Sequence, residues 1–136
     1  MKPRRPLLPL PPTLRESYDP SAFRAFGHDL VDRLADHLED SLGRRRPSSY
    51  PVGTPEDELG YWKGFMARSG SRDEAIGAVL ARSNQLHDPR YMGHQVAVPF
   101  PQEAMLGALT DLLNNGQAIY EMGPTNAALE HLLMNH

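Results

Sequence analysis

Apolar residues recur at spacings of three and four along five stretches of the chain, and each stretch predicts an amphipathic helix. Asp19-Pro20 supplies an N-cap and a first-turn proline for the first helix. Thr54-Pro55 begins the second, and a capping box of Ser71 with Glu74 begins the third. The predicted helices span residues 20–42, 55–69, 72–86, 101–115 and 124–136, with a short extended piece at 118–122. We therefore expect a mainly α fold without a substantial sheet.

The apolar stripe of each predicted helix is expected to face a core. Gly43 stands where a left-handed C-cap would end the first helix. His28 and His37 lie too far apart on that helix to share a metal ion, so both are interpreted as ordinary surface or boundary residues. The residues of these stripes are Phe23, Phe26, Leu30, Val31, Leu34, Leu38, Leu42, Leu59, Trp62, Phe65, Met66, Ile76, Val79, Leu80, Met105, Leu106, Leu109, Leu112, Leu113, Ala128, Leu129, Leu132 and Leu133.

Prolines and glycines divide the chain into three parts. Residues 1–18 are predicted to form a proline-rich flexible arm. Within it, Pro6-Leu7-Leu8-Pro9 is either part of an extended tail on a neighbouring surface or a polyproline ligand. Residues 19–86 form a helical segment, and residues 87–136 form a loop followed by the last helices. Because the last predicted helix reaches His136 without a stop signal, we expect the chain to be a piece of a longer protein.

The composition narrows the class of protein. The 136 residues are 40% hydrophobic and 23% charged, which is typical of a globular domain. A net charge of −3 argues against nucleic acid as a partner. The absence of cysteine excludes a disulfide framework or a thiolate site and fits a cytoplasmic protein. Because prolines interrupt the apolar residues near the N-terminus and no long apolar run follows, we expect neither a signal peptide nor a membrane span.

A polar, aromatic loop follows Leu86 and is the candidate functional segment, since loops held between ordered elements commonly carry binding residues. His87 and His94 lie in it without a recognisable third metal ligand. The chain contains neither a nucleophile elbow nor a phosphate-binding glycine motif. Arg44-Arg45-Arg46 either stabilises a helix C-terminus or forms a phosphate site. The loop is therefore suited to orienting a substrate rather than to independent catalysis.

The order of two motifs carries a resemblance to a known family. His87-Asp88-Pro89-Arg90-Tyr91 with Gln95, followed by Tyr120-Glu121-Met122-Gly123-Pro124 and Glu130, resembles the N-terminal region of pyridoxal-phosphate-dependent group II amino-acid decarboxylases. This family includes the glutamate, aromatic amino acid, tyrosine and diaminobutyrate decarboxylases. The resemblance covers residues 20–136 but only a minor part of the family's length. The chain departs from the family pattern by the additional Asp88 and by Met92-Gly93, where a second aromatic residue is common.

The resemblance implies the helical N-terminal segment of a fold-type I enzyme, whose large α/β domain is missing from this chain. In the family, that domain holds pyridoxal phosphate and the catalytic lysine, and the N-terminal helices pack against the second subunit of a homodimer. The chain alone is therefore expected to be inactive, with no catalytic or cofactor-binding residue of its own. If the helices clasp such a subunit, Phe23, Phe26, Trp62 and Phe65 would supply an exposed apolar patch.

The resemblance also implies a role for the loop in an amino-acid α-decarboxylase, in which the cofactor is the electron sink as carbon dioxide leaves. The implied substrate-binding residues are His94, Gln95, Val96 and Ala97, with Gln95 placed to hydrogen-bond a substrate carboxylate. The expected partners are an amino-acid substrate and a second subunit, with no nucleic acid, membrane or metal. The alternative is a non-catalytic helical interaction module or a decayed remnant of that family.

Overall fold

The computed structural model describes residues 11–51, 53–116 and 119–135. That part of the chain contains no strand, so the prediction of a mainly α protein is confirmed. A 3₁₀ turn, Tyr120–Met122, replaces the extended piece predicted there. The helices are α1 (Pro12–Ser17), α2 (Pro20–Leu42), α3 (Pro55–Ala67), α4 (Arg72–Arg82), α5 (Pro101–Leu113) and α6 (Pro124–Met134).

The predicted helix starts are confirmed by their capping bonds. The Asp19 carboxylate accepts the backbone N–H groups of Ser21 and Ala22 at 3.3 and 3.1 Å. Reciprocal capping boxes join Thr54 to Asp57 and Ser71 to Glu74. These side chains satisfy N–H groups that a helix cannot pair internally, which is why the starts could be located from sequence.

The C-terminal ends of the helices differ more from prediction than their N-terminal ends do. The helix after Ser71 was expected to reach residue 86 but ends at Arg82, because Ser83 is extended. At Gly43 the prediction of a left-handed cap was wrong. Its φ is −76°, and the next residue, Arg44, is left-handed with φ 56°. The Arg45 N–H closes this turn onto the Asp40 carbonyl at 2.9 Å, as in a Schellman motif.

Helix α1 occupies part of the arm that the sequence predicted to be flexible. Its first backbone bonds run from Leu14 and Arg15 to the Pro11 carbonyl, both at 3.0 Å. Proline suits a first helical turn because its missing N–H is not needed there. The arm is therefore helical over Pro12–Ser17. The polyproline interpretation of residues 6–9 lies outside the described residues.

The chain forms two compact units, Met1–His94 and Gln95–His136. Arginine contacts join the helices of the first unit. Arg82 donates to both carboxylate oxygens of Glu58 at 2.9 and 2.6 Å and lies 4.1 Å above the Tyr61 ring, joining α4 to α3. Arg72 lies 4.1 Å above Phe26, joining α4 to α2. The stacked guanidinium groups of Arg72 and Arg82 thus cover one face of each aromatic ring, where a protein with a larger core would place apolar side chains.

The apolar interior of the first unit is small. Among its described residues only Phe65 and Ala78 are buried apolar residues, and the Phe65 ring packs 5.5 Å from the Trp62 ring. The core predictions for Val31, Leu42, Leu59, Met66 and Val79 were wrong, since these side chains are 46% to 74% exposed. Leu30, Leu34, Leu38, Ile76 and Leu80 are half-buried. Many apolar positions at helical spacing therefore face outward.

The predicted patch of four aromatics is present only in part. Phe23 is 59% exposed, Phe26 and Trp62 are half-buried, and Phe65 is buried at 7%. Phe65 is covered from inside its own unit by the Trp62 ring and by Arg68, whose guanidinium lies 4.9 Å from the ring centroid. The additional exposed apolar surface of α2 comes instead from Val31 and Leu42.

The second unit contains α5, the 3₁₀ turn and α6, and it buries no large apolar side chain among its described residues. The core predictions for α5 and α6 were therefore wrong. Two amphipathic helices of this length have too little surface to enclose each other's stripes. The exposed residues are Met105, Leu106, Leu109, Leu112, Leu113, Ile119, Tyr120, Met122, Leu129, Leu132, Leu133 and Met134. Over the described residues, none of the helices has the length and apolarity needed to cross a membrane.

Candidate functional site

A buried polar pair attaches the candidate loop to the end of α2. Ser41 is fully buried and Gln85 is 2% exposed, although both are polar. The Ser41 Oγ lies 2.8 Å from Gln85 Oε1 and 2.8 Å from the His37 carbonyl oxygen, so its single proton serves these two acceptors. Buried polar groups need such partners to offset their loss of hydration. The beginning of the loop is thereby held at one position.

Two further hydrogen bonds, one from the backbone and one from the side chain, hold Gln85 in place. Its N–H donates to the Ser49 carbonyl at 2.8 Å, which joins the loop to the connector between α2 and α3. Its side-chain Nε2 donates to the Ser83 carbonyl at 2.7 Å. This arrangement explains why α4 stops early, because Gln85 bonds to the connector instead of continuing a helical ladder.

Asp88 and Arg90 form a second anchor. The Asp88 side chain is completely buried and accepts the Arg90 backbone N–H at 2.8 Å. It also accepts Arg90 Nε at 3.0 Å and Nη2 at 2.6 Å, while Nη2 reaches the Arg46 carbonyl at 2.8 Å. The Arg90 hydrogen bonds lower the pKa of Asp88 from its usual 3.8 to about 2. Asp88 thus holds the Arg90 guanidinium, which ties the loop to the connector through the Arg46 carbonyl.

A cavity of about 500 Å³ lies beside this anchor. Tyr50 and Tyr91 face it with ring centroids 6.4 Å apart and planes at 57°. Gly93 fits against Tyr91 only because it has no side chain, since a Cβ there would overlap the tyrosine ring and hydroxyl. The cavity is lined by Ser49, Tyr50, Arg90, Tyr91, Met92, Gly93 and His94. Aromatic walls with a few polar groups are typical of small-molecule sites.

The four predicted substrate-binding residues fall on both sides of the boundary between the units. His94 is the last residue of the first unit and lines the cavity. Gln95, Val96 and Ala97 belong to the second unit, and their side chains are exposed. Their substrate role stays a prediction. Sequence reasoning missed Tyr50, because a lone tyrosine between prolines in a connector has no periodic pattern to mark it.

His37 lies half-buried near the same connector. Burial, followed by the positive charges of Arg46 and His87, lowers its pKa, while Asp40 acts in the opposite direction. Within the described part of the chain its buried Nδ1 has no hydrogen-bond partner. These effects favour the neutral imidazole at pH 7. The interpretation of His37 as a boundary residue is consistent with this position.

The alternatives based on ligand-binding side chains receive little support from the described residues. No group of three histidine or acidic side chains among them is placed to hold a metal ion. In the arginine run, Arg45 pairs with Glu39 at 2.7 Å and Arg46 with Asp40 at 3.5 Å. The carboxylates at the end of α2 thus compensate these cations, which disfavours a phosphate site.

The residues described here do not fit a pyridoxal phosphate site. Lys63 is exposed in the middle of α3, and the chain's other lysine, Lys2, is outside the described residues. Neither Lys63 nor a glycine-rich phosphate-binding turn lines the Tyr50–Tyr91 cavity.

No family model, no curated protein and no solved structure matches the chain.

Proposed function

We propose that this chain is the N-terminal segment of a pyridoxal-phosphate-dependent amino-acid decarboxylase, which contributes dimer contacts and part of the substrate pocket. A further α/β domain would hold the cofactor and the catalytic lysine. The observation that carries the proposal is the anchored aromatic loop, in which buried Asp88 and Gln85 hold Tyr91 and His94 at a cavity. The same loop contains the motif that resembles this family.

The side chains around the cavity suit an amino-acid side chain. Tyr50 and Tyr91 offer aromatic faces to its apolar part, and His94 offers a ring nitrogen that can donate or accept a hydrogen bond. Arg90 is already bound through Nε and Nη2, so its main contribution is to hold the loop. Rigid presentation of a substrate-binding loop limits the ordering cost of binding. Orientation of the substrate is thus the task assigned to this segment.

The exposed apolar surface supports the proposal that this chain packs against a further domain or subunit. Large apolar side chains on α5 and α6 stay about half or more exposed, and so do Phe23 and Leu42 on α2. Exposed apolar side chains in this number are typical of an interaction site in soluble proteins. A catalytic domain would provide such contacts for α5 and α6, and a second subunit would provide them for α2. A non-catalytic helical interaction module would share this feature, and it is the second candidate.

The first experiment determines the reading frame after codon 136 and co-expresses the domain it encodes with the 136-residue chain. Carbon dioxide release from a panel of L-amino acids is then measured with added pyridoxal phosphate. We expect release only when both polypeptides are present. A stop codon without a downstream domain, or a downstream domain whose turnover is independent of this chain, would support the interaction module instead.

Loop variants test the substrate role in the reconstituted enzyme. Tyr91→Ala and Gln95→Ala should raise KM for the preferred amino acid while cofactor absorbance stays nearly unchanged. Tyr18→Ala is the matched control, because Tyr18 is exposed and lies outside the cavity lining. Equal effects of all three variants on KM would contradict the assignment of the loop to the substrate pocket.

A further inference from the structure

The two units of the chain differ sharply in charge. All fourteen lysines and arginines lie at or before Arg90, and the same part of the chain contains thirteen aspartates and glutamates. The second unit, Gln95–His136, contains neither lysine nor arginine. Its four carboxylates belong to Glu103, Asp111, Glu121 and Glu130, and all four residues are exposed. At pH 7 this unit is therefore strongly negative, whereas the rest of the chain is nearly neutral.

Two of these carboxylates, Glu103 and Glu130, lie beside exposed apolar side chains of their own helices. On α6, a shallow depression of about 420 Å³ is lined by Asn126, Leu129, Glu130, Leu133 and Met134. Glu130 is three residues from Leu133 and four from Met134, so these side chains are neighbours on the helix surface. On α5, Glu103 is three residues from Leu106, so these two side chains are also neighbours on their helix surface. We call the side chains that line this α6 depression, Asn126, Leu129, Glu130, Leu133 and Met134, the acidic apolar surface.

We propose that the acidic apolar surface binds a protein partner whose own apolar helix or groove is bordered by lysine or arginine. The aliphatic part of a lysine or arginine can cover Leu133 and Met134 while its cation reaches Glu130. Leucine side chains of the partner would cover the remaining apolar area. Removing that area from water supplies the affinity, and charge complementarity selects the partner.

The same charges disfavour the other occupants. A second copy would present an equally acidic surface, so pairing of two such surfaces brings like charges together. Anionic lipid and nucleic acid are repelled for the same reason. In another copy's first unit, several arginines already pair with carboxylates of their own unit, namely Arg33, Arg45, Arg46, Arg68, Arg82 and Arg90. This inference is independent of the decarboxylase proposal, because it follows from the exposure and charge of one unit.

The test uses the 136-residue chain and two synthetic 18-residue amphipathic peptides, one of leucine and lysine and one of leucine and glutamate. Fluorescence anisotropy of labelled peptide measures affinity at low and high salt, and ¹⁵N-edited spectra locate the contact. We expect the leucine–lysine peptide to bind at least about tenfold more tightly than the leucine–glutamate peptide. Its affinity should fall as salt rises, and the shifts should concentrate in residues 124–135.

Paired variants distinguish binding at this surface from a general effect of the chain's negative charge. Glu130→Gln should weaken the leucine–lysine peptide about twofold to fivefold, as expected for one exposed ion pair. Glu56→Gln on α3 changes the same charge in the first unit and should leave affinity unchanged. Leu129→Ser should weaken binding, whereas Leu59→Ser should not, although the two leucines are 53% and 56% exposed. Circular dichroism of each variant confirms that its helices are retained.

Other outcomes overturn the proposal. Equal affinity for both peptides, or equal effects of Glu130→Gln and Glu56→Gln, would show that the acidic apolar surface does not select a cationic partner. A salt-insensitive dimer of the chain in sedimentation equilibrium would identify a second copy as the occupant. Stronger binding to vesicles of phosphatidylglycerol than to the leucine–lysine peptide would identify lipid instead.

Discussion

The Ser41 hydroxyl oxygen lies 2.8 Å from the Gln85 side-chain oxygen, and the two residues are 44 positions apart in the chain. Neither is exposed to water by more than 2%. This contact therefore joins α2 to the loop that follows α4 through a polar bond in the interior. In a unit with so few buried apolar residues, such a bond contributes a large part of its tertiary specificity.

Removing this contact should destabilise the first unit. Ser41→Ala leaves the Gln85 oxygen buried without its donor, at a cost of about 1–3 kcal/mol. Urea unfolding followed by the fluorescence of Trp62 measures the change. Ser21→Ala, on an exposed part of the same helix, is the control and should change the free energy of unfolding little. A double-mutant cycle with Gln85→Ala should show coupling, and strictly additive effects would argue against the bond.

The stability of the first unit should fall at acidic pH through Asp88. Its folded-state pKa is lowered from 3.8 to about 2, so its carboxylate stabilises the fold above its unfolded pKa. That stability is lost as pH falls from about 5 through 2. Hydrogen bonds also lower the pKa of Asp57, Glu58 and Glu74, which adds to the same trend.

Thermal unfolding by circular dichroism from pH 7 to pH 2 tests the contribution of Asp88. Asp88→Asn should have a lower Tm than the parent protein at pH 7 and a smaller loss of Tm between pH 5 and pH 2. Glu56→Gln should keep the parent profile, because Glu56 is exposed and forms no described ion pair. A parent-like pH profile for Asp88→Asn would refute the anchoring role of this carboxylate.

Two glycines should respond in opposite directions to alanine. A Cβ at Gly70 would overlap the Phe65 ring, so Gly70→Ala should destabilise the first unit by about 1–3 kcal/mol. Gly77, inside α4, has nothing within 4 Å of an added Cβ. Gly77→Ala should therefore stabilise by about 0.5–1 kcal/mol. Urea unfolding measures both, and stabilisation by Gly70→Ala would contradict the packing of Phe65.

The isolated chain should neither bind pyridoxal phosphate stably nor decarboxylate an amino acid. Lys63 is exposed on α3 and does not line the cavity, so an adduct there would lack a shaped site for the ring and phosphate. Absorbance titration in the visible range, beside a carbon dioxide release assay, measures both activities. Saturable cofactor absorbance that Lys63→Ala abolishes would contradict the assignment of cofactor binding to another domain.

Local chemistry determined the helix starts. Asp19, Thr54 and Ser71 each bond to N–H groups at most three residues away, so their roles were evident from sequence. Apolar periodicity likewise located the helices after these caps, since it depends on neighbours three and four residues along the chain. Periodicity did not determine whether an apolar stripe is buried, because a stripe is buried only where another element packs on it. Leu59, Met66 and Val79 are exposed for this reason.

Only the tertiary structure decided the candidate site. Ser41 and Gln85 are polar residues whose burial depends on partners brought together from separate parts of the chain. Asp88 pairs with nearby Arg90, whose guanidinium reaches the distant Arg46 carbonyl. The cavity likewise needs Tyr50 from the connector beside Tyr91 from the loop, 41 positions later. Sequence periodicity reports which residues share a face of one helix. It carries no information on which connector will supply a carbonyl or a ring to a distant loop, because that depends on how the helices pack.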